Sequence, residues 1–138
     1  MDEGSYTKGE MRTEEGALRG RFAAAGLPLP PIHAGWFEDT LPATLPAQIA
    51  FAMIDADLYA STLTALQHVY PRLSSRAACV FGVYCDPSEF DPPNRSLKFR
   101  SPGVKKACDE FLRDKPEKVS VLYAGHYTCG YFQKLPAS

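Results

Sequence analysis

The chain has 138 residues, enough for one domain, and its 45% apolar and 22% charged residues are the balance of an ordinary globular protein rather than a disordered one. A formal net charge of −1 supplies no field to attract nucleic acid or anionic lipid, and no apolar run reaches the length that crosses a bilayer. The acidic, polar start Met1-Asp2-Glu3-Gly4 is the opposite of a signal peptide, so the expectation is a cytoplasmic protein with neither membrane nor nucleic acid as partner.

Residues 1–12 are polar, show no period and are expected to be flexible. Thr13 to Ala25 predicts a short helix, with Thr13 as N-cap and Glu14 and Glu15 in the first turn. Gly26 suits the position after its end, and Pro28, Pro30 and Pro31 stop it. Ile32 to Phe37 is apolar and aromatic and predicts a strand, followed by a turn at Asp39-Thr40-Leu41-Pro42. Ile49 to Ile54 is apolar without alternation, the pattern of a strand buried on both faces of a parallel sheet.

Tyr59, Leu63, Leu66 and Tyr70 recur on one helical face, predicting a helix over Leu58–Tyr70 with Asp57 as N-cap and Pro71 closing it. Ala77 to Tyr84 predicts a second buried strand, and the four prolines of 85–103 a long surface loop. A helix over Val104–Arg113 follows, then a hairpin of Val119–Tyr123 and Tyr127–Leu135 about Gly125-His126. This order implies one α/β domain with right-handed parallel crossovers and a closing antiparallel strand. The cysteines, Cys79, Cys85, Cys108 and Cys129, form no paired zinc motif and are expected as reduced thiols.

Parallel α/β sheets bind ligands at the carboxyl ends of their strands. The residues there are Gly35-Trp36-Phe37, Asp55-Ala56-Asp57 and Gly82-Val83-Tyr84. Two carboxylates after a buried strand can hold a hard cation or position a hydroxyl. Spacing alone favours the plainer reading, in which Asp57 caps the helix and Asp55 ends the strand. Trp36, the single tryptophan, is open to a core or a ligand role. His33, His68 and His126 share no ligand spacing, and Arg95, Lys98 and Arg100 form a small basic cluster in the loop.

Gly35-Trp36-Phe37-Glu38-Asp39-Thr40-Leu41-Pro42 and Ile54-Asp55-Ala56-Asp57-Leu58-Tyr59-Ala60-Ser61-Thr62 resemble two motifs of the macrocin O-methyltransferase family. Tyr70-Pro71-Arg72-Leu73-Ser74, Gly103 to Leu112, Gly4-Ser5-Tyr6 and Gly125-His126-Tyr127 match in order. The resemblance implies the C-terminal part of a class I, Rossmann-like methyltransferase, with a partial, mostly parallel sheet and a closing antiparallel hairpin. It implies S-adenosylmethionine as cofactor and a hydroxyl on a sugar or other small natural product as acceptor. Gly35, Trp36, Phe37 and Asp55 become the expected cofactor-binding residues, and Asp55 and Asp57 the expected metal ligands.

The chain departs from the family in two places. Gly82-Val83-Tyr84 stands where the family carries two acids and a tyrosine, so Mg²⁺ is expected to bind poorly. The glycine-rich cofactor loop and the family's first and second strands have no counterpart in the sequence, so cofactor binding is expected to be weak. Their absence also predicts that Ile49–Ile54 presents an unpaired apolar edge, favouring a homo-oligomer or pairing with another chain. Two further functions are carried beside methyl transfer. One is a non-catalytic interaction module; the other is a carboxylate-based metal hydrolase using Asp55 and Asp57.

Overall fold

In the computed structural model the described residues are 6–10, 12–84, 101–124 and 127–136. The uncharged run Ile49–Ile54 forms strand β1, and the chain then crosses through helix α3, Tyr59–Val69, to strand β2, Leu73–Phe81. β1 and β2 pair in parallel, Ala52 opposite Cys79 and Ile54 opposite Phe81. Helix α4, Pro102–Phe111, leads into strands β3, Ser120–Ala124, and β4, Tyr127–Gln133. The sheet order is β1-β2-β4-β3. Because β4 runs against both β2 and β3, three strands share one direction and only β4 opposes them. The sheet is therefore mixed and open, with its parallel majority as expected.

Strand pairing decides which side chains share a face. Ala52, Ile54, Cys79, Phe81 and Phe132 fall on one face, against Ala65, Leu66 and Val69 of α3 and Val104 and Cys108 of α4. Phe81, Phe132 and Leu66 are wholly enclosed there, each contributing roughly 1.5–3 kcal/mol of apolar burial. The expectation of strands covered on both faces fails for β1. Phe51 and Met53 point to the other face and are 62% and 60% exposed. An unbroken apolar strand signals burial only where a second layer of helices is present, and the described elements supply one.

The N-terminal half departs most from the sequence expectations. Ile32–Phe37 is not a strand. Trp36 instead caps helix α2, Phe37–Thr44, which includes the expected turn and Pro42. Glu38 and Asp39 in its first turn favour the helix dipole, and Thr40 and Thr44 hydroxyls bond back to the carbonyls of Trp36 and Thr40. Helix α1 spans Glu15–Ala24 with Glu14, not Thr13, at its N-cap, and buries no residue. Gly26 does follow its end in the left-handed region, at φ 64°. β2 begins four residues before the predicted Ala77, and α4 starts at Pro102 rather than Val104. The loop cluster Arg95, Lys98 and Arg100, together with Cys85 and Gly125-His126, lies outside the described residues.

Candidate functional site

Where β1 stops, the chain makes a tight reversal. Asp57 adopts the left-handed conformation at φ 55°, which Asp tolerates better than most residues, and the Leu58 amide turns back to the Ala56 carbonyl at 2.5 Å. Leu58, not Asp57, holds the N-cap position of α3, and its side chain makes no cap hydrogen bond. The N-cap expected at Asp57 thus falls one residue later. The Asp57 carboxylate faces Ser101, whose hydroxyl lies 3.5 Å from Oδ1. Buried Ser101 also shares a 2.7 Å hydrogen bond with the Tyr6 hydroxyl. The N-terminal segment and the start of α4 thus meet at Asp57.

Asp55 turns the other way, over the end of β2. The Gly82 amide donates to the Ile54 carbonyl at 2.9 Å, and a Cβ at position 82 would lie 2.1 Å from Asp55 Oδ1. While Asp55 holds this rotamer, only glycine fits at 82. Gly35 is required for a different reason. Its φ of 151° disfavours L side chains, and a Cβ would stand 2.8 Å from the Thr40 methyl. That turn presents Trp36 and Phe37 at the head of α2. Trp36 is 75% exposed, which removes the core-packing role for the single tryptophan.

These pieces converge. A cleft of about 530 Å³ at the carboxyl end of β1 is lined by Gly35, Trp36 and Phe37 from one side and Asp55, Ala56 and Asp57 from the other. The expected cofactor and metal residues thus share one cavity. Sequence reasoning missed Glu38, Thr13 and Ser61, which also line it. Glu38 was legible as the next residue of its motif. Thr13 was not, because its approach depends on the path of residues outside any strand or helix. Among the described residues no three His, Cys, Asp or Glu side chains converge as a metal site. Tyr84 is drawn away from the cleft: it is buried beside Phe81, and its hydroxyl donates to Asp109 of α4 at 2.9 Å. Burial, then that carboxylate, push its pKa up.

The family profile of the macrocin O-methyltransferases (TylF) matches residues 13–89, more than half of the chain. This chain belongs to that family. Mycinamicin III 3''-O-methyltransferase of Micromonospora griseorubida is 39% identical over 54 residues, 39% of this chain and 21% of the relative. The 8-demethyl-8-(2,3-dimethoxy-alpha-L-rhamnosyl)-tetracenomycin-C 4'-O-methyltransferase of Streptomyces olivaceus is 50% identical over 50 residues, 36% of this chain and 19% of the relative. The matched stretches thus span about a fifth of the length of these curated relatives. The structure of the O-methyltransferase NovP superposes with a TM-score of 0.67 at 25% identity, over 88% of this chain and 45% of that one. The fold is accordingly a partial O-methyltransferase sheet.

Proposed function

We propose that this chain takes part in S-adenosylmethionine-dependent transfer of a methyl group to a hydroxyl of a small natural product, on a sugar as in the rhamnosyl name of one relative. The 138 residues hold part of the cofactor site in this reading. The observation that carries it is the single cleft shared by the Trp36 and Phe37 rings and the carboxylates of Asp55, Asp57 and Glu38. When bound, S-adenosylmethionine supplies an electrophilic methyl on a cationic sulfonium. Three carboxylates at one end of β1 favour such a cation at short range. The exposed faces of Trp36 and Phe37 suit a flat aromatic base.

A hydroxyl must lose its proton as its oxygen gains a methyl. Asp57 is the group we assign to accept it, oriented through Ser101 at 3.5 Å. Asp55 serves the cofactor side. Asp55 and Asp57 are also the groups a divalent cation would meet first. One carboxylate turned over Gly82 and the other toward Ser101 do not fit a protein-held Mg²⁺ site, which wants several convergent oxygens. No step is assigned to the ion.

Trp36 makes the test direct, since it is the single tryptophan and lines the cleft. Titration with S-adenosylmethionine should change its emission and saturate as the cleft fills. Asp55→Asn should weaken the response. No change at millimolar concentration would sink the reading. The second reading, a non-catalytic interaction module, would then stand, and Gly82-Val83 in place of two acids favours it.

A further inference from the structure

Ser101 stands at the N-cap position of α4 but does not cap it. Serine is favoured at that position because its hydroxyl accepts from the amides of the first turn, yet Ser101 makes no such hydrogen bond. Its hydroxyl is turned elsewhere. Ser101 is 3% exposed, bonded at 2.7 Å to the Tyr6 hydroxyl and 3.5 Å from Asp57 Oδ1. These two neighbours lie 95 and 44 positions away in the chain, so the contact is made by the fold and not by the local turn.

Donor counting gives the contact a direction. A serine hydroxyl carries one proton, and an ionised carboxylate only accepts. The proton of Ser101 therefore points to Asp57, and the Tyr6 hydroxyl is the donor at 2.7 Å. The short bond from Tyr6 sets where the Ser101 oxygen sits, and the remaining proton sets which way Asp57 is drawn. Asp57 needs such a hold. Its backbone is left-handed at φ 55°, a conformation that persists in a residue other than glycine only where its surroundings enforce it. We infer that Tyr6 is a positioning residue for the cleft, acting on Asp57 through Ser101. What Asp57 does there is the methyl transfer proposed above, and on that reading the role of Tyr6 rests.

Thermal melts of the 138-residue chain test the path. Tyr6→Phe keeps the ring and loses only the donor, while Ser101→Ala breaks the path at its middle. Each should lower the melting temperature, and the double variant should melt no lower than Ser101→Ala, because the two losses are one contact. Full additivity overturns the proposal. Titration with S-adenosylmethionine, followed by Trp36 emission, tests the role. Asp57, although assigned to the hydroxyl, is one of the three carboxylates on the cleft that holds the sulfonium. Tyr6→Phe should therefore raise the half-saturating concentration about two- to fivefold, the range of an exposed ion pair. Ser101→Ala should do the same, and Ser101→Thr, which keeps the hydroxyl, should recover most of the loss. Reduced stability alone does not move half-saturation well below the melting temperature. A Tyr6→Phe titration that overlays the native one overturns the proposal. A native chain whose emission does not respond sinks the methyl-transfer reading instead, and the melts then decide whether Tyr6 holds Asp57.

Discussion

Glu117 offers the sharpest test of the packing that supports the site. It precedes β3 and is only 3% exposed, yet three donors reach it. The Tyr70 hydroxyl donates to Oε2 at 2.7 Å, the Leu135 amide to Oε1 at 3.0 Å, and the Lys134 ammonium lies 3.3 Å from Oε1. Burial pushes its pKa up, but these hydrogen bonds outweigh burial and hold it below the ordinary value. Tyr70 in turn packs edge-on against Phe111 and tilted against Phe132, so one carboxylate fastens the end of α3, the close of α4 and the end of β4. Glu117→Ala leaves a part-buried hydroxyl and amide without their acceptor, at up to about 1–3 kcal/mol each. With some recovery by water, the net loss should be about 3 kcal/mol, or roughly 10 °C in melting temperature at this chain length. Glu117→Gln keeps the shape and should lose about half of that. The pH dependence gives the sign. A carboxylate depressed in the folded state contributes stability above its unfolded pKa of about 4.3, and loses it as pH falls through the folded value. Thermal melts from pH 7 to pH 3 should show the gap between the native chain and Glu117→Gln closing below about pH 4.3. A gap that persists undiminished in acid would refute an ionised Glu117.

Thr62 is fully buried on α3, and its hydroxyl has no hydrogen-bond partner among the described residues. Thr62→Val should raise stability by about 1 kcal/mol, and a lowered melting temperature would reveal a partner. Cys79 and Cys108 are free and enclosed, and burial pushes the Cys79 thiol up to about 12. Mass spectrometry after thiol labelling at pH 8 should find both unmodified until the protein unfolds, and labelling in the native state would contradict their enclosure. Mg²⁺ should leave the melting temperature unchanged, because only an occupied site stabilises. The double variant Gly82→Asp, Val83→Asp should gain a Mg²⁺ response once Asp55 swings aside, and silence there would place Asp55 away from the new carboxylates.

The central elements were legible because their signals are local. Ile49–Ile54 is free of charge between turn residues, and Tyr59 to Val69 repeats at helical spacing, so each element follows from its own residues. Ile32–Phe37 misled because a short apolar stretch says nothing of its partner. With no strand alongside, the Gly35 turn and the acids of Glu38-Asp39 made a helix start of it. Trp36 could not be placed from sequence, since core and ligand-facing aromatics have the same composition. Its exposed position at the N-cap, on the cleft, rules out the core role. The Tyr6–Ser101–Asp57 contact joins residues 95 and 44 positions apart, and no local pattern marks it.

The departure at Gly82 is more than a missing ligand. Replacing an acid by alanine would leave a Cβ, and here even a Cβ meets the Asp55 carboxylate at 2.1 Å. Glycine lets Asp55 fold down over the end of β2, while Asp57, one residue beyond Ala56, is turned toward α4 by its left-handed backbone. The two acids of the motif therefore diverge: one belongs to the strand ends, the other to the junction of α4 with the N-terminal segment. A site built this way separates a charge that can face a cationic cofactor from one that can face a hydroxyl. In the methyl transfer proposed above, that separation assigns Asp55 to the cofactor and Asp57 to the hydroxyl.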